Sequence, residues 1–174
     1  MFKKILVPTD GSGHAVKAER LGADLASKYG ADLIFLSVIE GGALTPAAKQ
    51  LAASKGIDVG ALTDAPNISV VSPEGAPVVP QAEYTLASSR IQAELAERLI
   101  GEAKAHAKAA GVEKVIGLTS NGGVAEAILE TAADKGIDLI VMGSRGLGSL
   151  KALLVGSVSQ KVSHLAACSC ISVK

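Results

Sequence analysis

The sequence has no tryptophan, and among its 174 residues only two are phenylalanine and two tyrosine. Any core must therefore be aliphatic and alanine-based, and the aromatic platforms on which single-stranded nucleic acids stack are missing. Net charge is missing too. Seventeen basic residues balance seventeen acidic ones, so no global field draws the chain to nucleic acid or to an anionic membrane. No apolar run approaches the roughly 18 residues needed to cross a bilayer. Met1-Phe2-Lys3-Lys4 meets Pro8 and Asp10 before an apolar stretch accumulates, so no signal peptide is expected. Cysteine is confined to Cys168 and Cys170. On a strand both would point to one face, a poor geometry for a mutual disulfide, and no His or Cys cluster completes a metal set. Two buried core thiols in a reducing cytoplasm are the expectation.

What is plentiful is aliphatic. A hydrophobic share of 48% suffices for a full core and argues against disorder. The length fits one domain, 1–174, with an irregular insertion at about 40–80. Ile5-Leu6-Val7 is a short apolar run ended by Pro8, as in a buried strand. Asp10-Gly11-Ser12 is turn chemistry with a ready helix cap, followed by Ala15, Ala18, Gly22, Leu25 and Tyr29 on one helical face. Leu33 to Ile39 is a second strand and Lys114 to Leu118 a third. Between them Ile91, Leu95, Leu99 and Ala103 mark a long helix from about Gln81 to Ala110. Val124, Ile128 and Thr131 mark another helix, Asp138 to Met142 a fourth strand, Val158, Val162, Leu165 and Ala166 a last helix, and Cys170 to Val173 a last strand. Lys, Gly and Asp recur at helix-to-strand junctions at Lys28, Gly30, Asp32, at Lys55, Gly56, Asp58 and at Lys135, Gly136, Asp138.

Strands alternating with helices imply parallel strands and helical crossovers, and continuous apolar strands imply a sheet covered on both faces. The expected fold is α/β, an open doubly wound five-stranded parallel sheet. The stretch from Glu40 to Pro80 interrupts the alternation. Thr45-Pro46 opens a short helix that Gly56 closes, and Pro66, Pro73, Pro77 and Pro80 follow. A connection of this length is either a surface insertion or a functional segment such as a lid.

Ligands of open α/β sheets collect at the carboxyl ends of the strands, where the winding reverses. Two polar, glycine-bearing loops fall there: Thr9-Asp10-Gly11-Ser12 after the first strand, and Gly143-Ser144-Arg145-Gly146-Leu147-Gly148-Ser149 after the fourth. Glycine lets backbone N–H groups approach a ligand that a Cβ would hold away. Gly156-Ser157 opens the last helix, with Ser157 read as its cap and the amides of Val158 and Ser159 facing any anion. Charge changes sign at this point. Residues 113–142 sum to −3, whereas 143–174 sum to +4 with no acid, through Arg145, Lys151, Lys161 and Lys174. That suits an anionic ligand or an ordinary solvated face. Asp10 reads as turn former or ligand contact, Val38 as core or contact, Arg145 and His14 as solvated or facing phosphate.

Gly143-x2-Gly146-x9-Gly156-Ser157 resembles the nucleotide-binding signature of the universal stress protein family, in its ATP-binding branch. Lys4 to Ser12 is similar to that family's opening strand and loop, and Gly123-x4-Ile128 with Asp138 to Gly146 is similar to its second half. The resemblance implies a fold of the adenine-nucleotide alpha-hydrolase type with strand order 3-2-1-4-5. It implies that Asp10 and Val38 contact adenine or its ribose, against a wall shaped by Pro8 and Thr9. Met142, Gly143 and Gly146 would lie along the ribose and first phosphate. Gly156, Ser157 and Ser159 would hold the outer phosphates, with Mg²⁺ bridging their oxygens. A homodimer through the last strand, Cys170 to Val173, is also implied. The segment at 40–80 has no counterpart in the family pattern, and the last strand lacks the proline common at its start.

The function expected is that of a cytoplasmic ATP-binding stress-response module. Two alternatives stand beside it: a slow ATPase on the same site, and a protein-interaction member that binds no nucleotide. A Gly-x4-Gly-Lys-Ser/Thr loop is absent, as are His-x-Gly-His and Ser-Gly-Gly-x-Asp-Ser, and no residue stands out as a general base.

Overall fold

The computed structural model describes residues 1–62, 81–148 and 156–174. It divides into two compact units, residues 1–40 with 96–174, and residues 41–95. The first unit holds a five-stranded sheet, β1 (Lys4–Pro8), β2 (Asp32–Ile39), β3 (Val115–Asn121), β4 (Leu139–Gly143) and β5 (Ser169–Val173). Its order is β3-β2-β1-β4-β5 with every pairing parallel, as the resemblance implies. The helices are α1 (Gly13–Tyr29), α2 (Pro46–Ser54), α3 (Gln81–Ala109), α4 (Val124–Lys135) and α5 (Ser157–Leu165).

Each strand side chain points opposite to its neighbour, and both directions are buried, which is why the strands read as unbroken apolar runs. Ile5, Val7, Leu33, Phe35, Leu139 and Val141 pack with Ala18, Ala23 and Ala26 of α1 and with Ala103 and Ala107 of α3. Leu6, Ile34, Leu36, Ile140 and Met142 pack with Ala125, Ile128 and Ala132 of α4 and Val162 of α5. Alanines on the helices let them lie close to the sheet, so a core with one fully buried aromatic, Phe35, has no need of others.

Local signals set most boundaries. Ser12 caps α1 by accepting from the Ala15 amide, and Thr45 caps α2 by accepting from Ala48, with Pro46 at the first helical position. Gly30 and Gly136 end α1 and α4 in the left-handed conformation, each with φ 62°. At the third junction Lys55 is the C-cap and the left-handed glycine, Gly56, comes after it. Among the described residues no strand follows that junction; Asp58 instead accepts from the Gly60 amide at 2.8 Å and a 3-10 turn runs over Gly60–Leu62. Asp138 fastens the sheet's start, accepting from the amides of Lys3 at 2.8 Å and Lys4 at 3.3 Å.

Within the second unit Ser88 is fully buried and donates to the Gly42 carbonyl at 2.5 Å, joined there by Gln92 at 3.1 Å. Pro66, Pro73, Pro77 and Pro80, and with them the lid reading, lie outside the described residues. Cys168 and Cys170 are half-buried, not core thiols, because Cys168 precedes the strand and β5 is at the sheet edge. Among the described residues, no helix is long and apolar enough to cross a membrane.

Candidate functional site

The strand order places the reversal of winding between β1 and β4, so the loops leaving their carboxyl ends share one crevice. Thr9, Asp10, Gly11 and Ser12 form the turn into α1, and Ser144 to Gly148 follow β4. The two loops are tied directly to each other. Asp10 Oδ2 accepts from the Leu147 amide at 2.7 Å, while Oδ1 accepts from Ser12 N–H at 2.9 Å. Ser12 Oγ donates to the Arg145 carbonyl at 3.3 Å, and His14 Nδ1 lies 2.9 Å from Ser144 Oγ.

The glycines supply room and not unusual torsions, since Gly143, Gly146 and Gly156 all have negative φ. A Cβ on Gly143 would stand 2.9 Å from the Ala15 nitrogen and from the His14 carbonyl carbon. One on Gly146 would stand 2.5 Å from Asp10 Oδ2. The close seating of β4's end on α1, and of the glycine loop on Asp10, therefore depends on bare backbone.

Ser144 joins the third component. Its amide donates to the Val173 carbonyl at 2.7 Å, and its carbonyl accepts from the Gly156 amide at 2.8 Å. The Ser159 hydroxyl, buried, lies 2.9 Å from the carbonyls of both Ser144 and Gly156. The start of α5 is thus fastened to the end of β4. The N-cap is Gly156, not Ser157, and no side chain caps the helix. Ser157, Val158 and Ser159 occupy its first three positions, whose N–H groups have no acceptor within the helix. Ser157 is exposed there. The side chain of Ser159 faces inward, onto those two carbonyls.

Other sequence candidates fall on the same edge. Pro8 ends β1 opposite Leu36, and the buried Thr9 donates its amide to the Leu36 carbonyl at 2.8 Å. Val38 follows two residues later on β2, half-buried, and packs on the cluster that contains Met142. Of the cations in the acid-free segment, Arg145 is at the loop itself and half-buried. Lys161 is engaged by Glu126 of α4, and Lys151 and Ser149 lie outside the described residues. Two features carry little sequence signal. The His14–Ser144 pair joins residues 130 apart, and Glu19, a carboxylic acid on the buried face of α1, receives the Thr9 hydroxyl.

An open doubly wound α/β protein with a glycine-lined crevice at its switch point is the class that this geometry defines. The chain belongs to the universal stress protein family, whose model matches residues 1–57 and 45–174. It is 31% identical over 174 residues to the universal stress protein YxiE of Bacillus subtilis, and 33% identical over 174 residues to a universal stress protein of Thermus aquaticus, each match spanning both chains in full. Among solved structures, the fold is shared with UspA of Lactobacillus plantarum (TM-score 0.70, 23% identity, 99% of this chain and 98% of that one). It is shared also with a universal stress protein in complex with cAMP (TM-score 0.61, 21% identity, 99% and 96%). A third is the universal stress protein from Archaeoglobus fulgidus in complex with dAMP (TM-score 0.61, 16% identity, 99% and 98%).

Proposed function

We propose that this protein binds an adenine nucleotide, ATP foremost, in the crevice between the loops after β1 and β4. The observation that carries the reading is that the crevice has two chemically different ends. At the β1 end stands the Asp10 carboxylate, held by two backbone amides. At the α5 end stand the first amides of an uncapped helix, at Ser157, Val158 and Ser159, beside the bare backbone of Gly156. A carboxylate repels phosphate but accepts from an adenine amino group or a ribose hydroxyl. Helix-opening amides attract phosphate. The base and ribose therefore lie toward Asp10, Val38, Pro8 and Thr9, the sugar–phosphate junction passes Met142, Gly143 and Gly146, and the outer phosphates reach Gly156 to Ser159. Arg145 adds charge at the phosphate end. Mg²⁺ fits as an ion held by phosphate oxygens and water, needing few protein ligands.

That two solved proteins of this fold hold cAMP and dAMP supports the reading. Its biological form is a cytoplasmic stress-response module whose ligand state alters its partners. A homodimer through the edge strand β5 belongs to the same reading, since β5 pairs on one side with β4 and lies at the end of the sheet.

The test is thermal unfolding with and without ATP and Mg²⁺. At a thousandfold excess over Kd, ligand stabilises the folded state by about 4 kcal/mol through mass action. A melting temperature indifferent to millimolar-range ATP would reject the reading.

A further inference from the structure

Glu19 is a carboxylic acid on the core face of α1, 8% exposed, between alanines that pack on the sheet. Its Oε1 accepts a short hydrogen bond from the hydroxyl of Thr9, which is itself buried. The same Thr9 oxygen accepts from the Gly11 amide at 3.3 Å. Gly11 is the left-handed residue of the turn, with φ 75°, and its neighbours do the holding: Asp10 grips the Leu147 amide and Ser12 the Arg145 carbonyl. One chain of contacts thus runs from a buried acid to the wall of the crevice.

We propose that Glu19 is a positioning residue of the crevice: through the Thr9 hydroxyl, a single buried proton governs how firmly the turn after β1 is held. This deepens the nucleotide reading and rests on it for its functional consequence alone. While Glu19 is ionised it can only accept, so the Thr9 hydrogen is fixed toward it and both lone pairs stay clear, one of them for the Gly11 amide. Once Glu19 is protonated its own O–H can donate to Thr9, which takes one lone pair and frees the Thr9 hydrogen to turn toward the Gly11 amide, where it opposes that bond. The ionised state therefore holds the turn, and the protonated state loosens it.

The surroundings put this proton within reach. A cavity of about 190 Å³ between α1 and α3 is lined by Glu19, Arg20, Asp24, Ser27 and His106, among others. It has room for water to carry protons to the acid without unfolding. Burial pushes the Glu19 carboxyl above its ordinary value, the Thr9 hydroxyl and His106 of α3 pull it back, and Glu102 of α3 and Asp10 of the turn raise it further. Arg20 and Asp24 on α1 are the remaining charges at the cavity.

The experiment is an NMR titration of the intact, ligand-free protein from about pH 4 to about pH 8, a range that brackets ordinary and raised glutamates. It follows the Glu19 carboxyl carbon and the Gly11 amide. The two should share one midpoint, above the ordinary glutamate range. Glu19→Gln should remove the Gly11 step, because the side chain at 19 no longer gains or loses a proton in this range. Thr9→Val should leave Glu19 titrating and uncouple Gly11. In parallel, the affinity for ATP with Mg²⁺ should fall about fivefold (about 1 kcal/mol) as Glu19 protonates. Glu19→Gln should show only the titration of ATP itself. A Gly11 step that survives in Glu19→Gln, or no step in the wild type, overturns the proposal. A shared titration without any ATP binding would strike the nucleotide reading and leave the Glu19–Thr9–Gly11 coupling in place.

Discussion

An extra methyl group at Gly143 would meet the backbone of His14 and Ala15, which cannot swing aside as a flexible side chain can. At Gly13, thirteen residues into the chain and at the first position of α1, the same methyl would meet nothing within 4 Å. The two positions separate space from flexibility. Gly143→Ala should destabilise the fold by roughly 1–3 kcal/mol, as overpacking does. Gly13→Ala should stabilise it by up to about 1 kcal/mol, since alanine loses less entropy in a helix. Denaturant unfolding of the two variants checks both signs. A shared sign would mean that the close approach of β4 to α1 is not what Gly143 provides. Glycine spacing marks Gly143, Gly146 and Gly156 as a candidate site, but not that Asp10 braces the loop, a contact across 137 residues. Glu19 escapes because a charged residue breaks the apolar stripe used to find a helix face. The buried face in fact includes Glu19, Ala23 and Ala26 besides Ala15, Ala18 and Gly22, while Tyr29 is exposed.

Elements were largely legible because this sheet is covered on both sides and its central strands are unbroken apolar runs. The exceptions lie at edges. β3 continues past Leu118 through Thr119, Ser120 and Asn121, paired residue by residue with Ser37, Val38 and Ile39. Those polar residues carry no strand signal, and the pairing with β2 is what extends them. The start of α5 shows the other limit. Ser157 is the better capping residue by type, yet Gly156 takes the cap because its amide bonds the Ser144 carbonyl and a Cβ there would stand 3.2 Å from that oxygen. At the opposite edge, β5 shows solvent the side chains of Ser169 and Ser172. If a second copy pairs along this strand, Ser172→Lys should turn a dimer into a monomer while leaving the melting temperature of the protomer nearly unchanged, because edge lysine opposes strand pairing. Sedimentation velocity checks it. A wild-type chain that sediments as a monomer would contradict the dimer.

The parallel topology of the sheet decides where its loops converge. With β1 central and β4 beside it, the winding reverses where two glycine-bearing loops and an uncapped helix meet. The hydrogen bonds that Asp10 accepts and those that Ser12, His14 and Ser144 make tie these loops into one body. Such preorganisation lowers the ordering cost of binding. In the proposed binding mode the amides opening α5 receive phosphate. Ser157→Asp addresses it directly, because one carboxylate at that exposed first position has opposite effects on the two states. It favours the helix by about 0.3–1 kcal/mol through the dipole, so the ligand-free protein should melt no lower than the wild type. Placed against phosphate, it should weaken ATP at least about tenfold, roughly 1.4 kcal/mol, in titration calorimetry. A Ser157→Asp protein that binds ATP as tightly as the wild type would mean that phosphate does not lie at these amides.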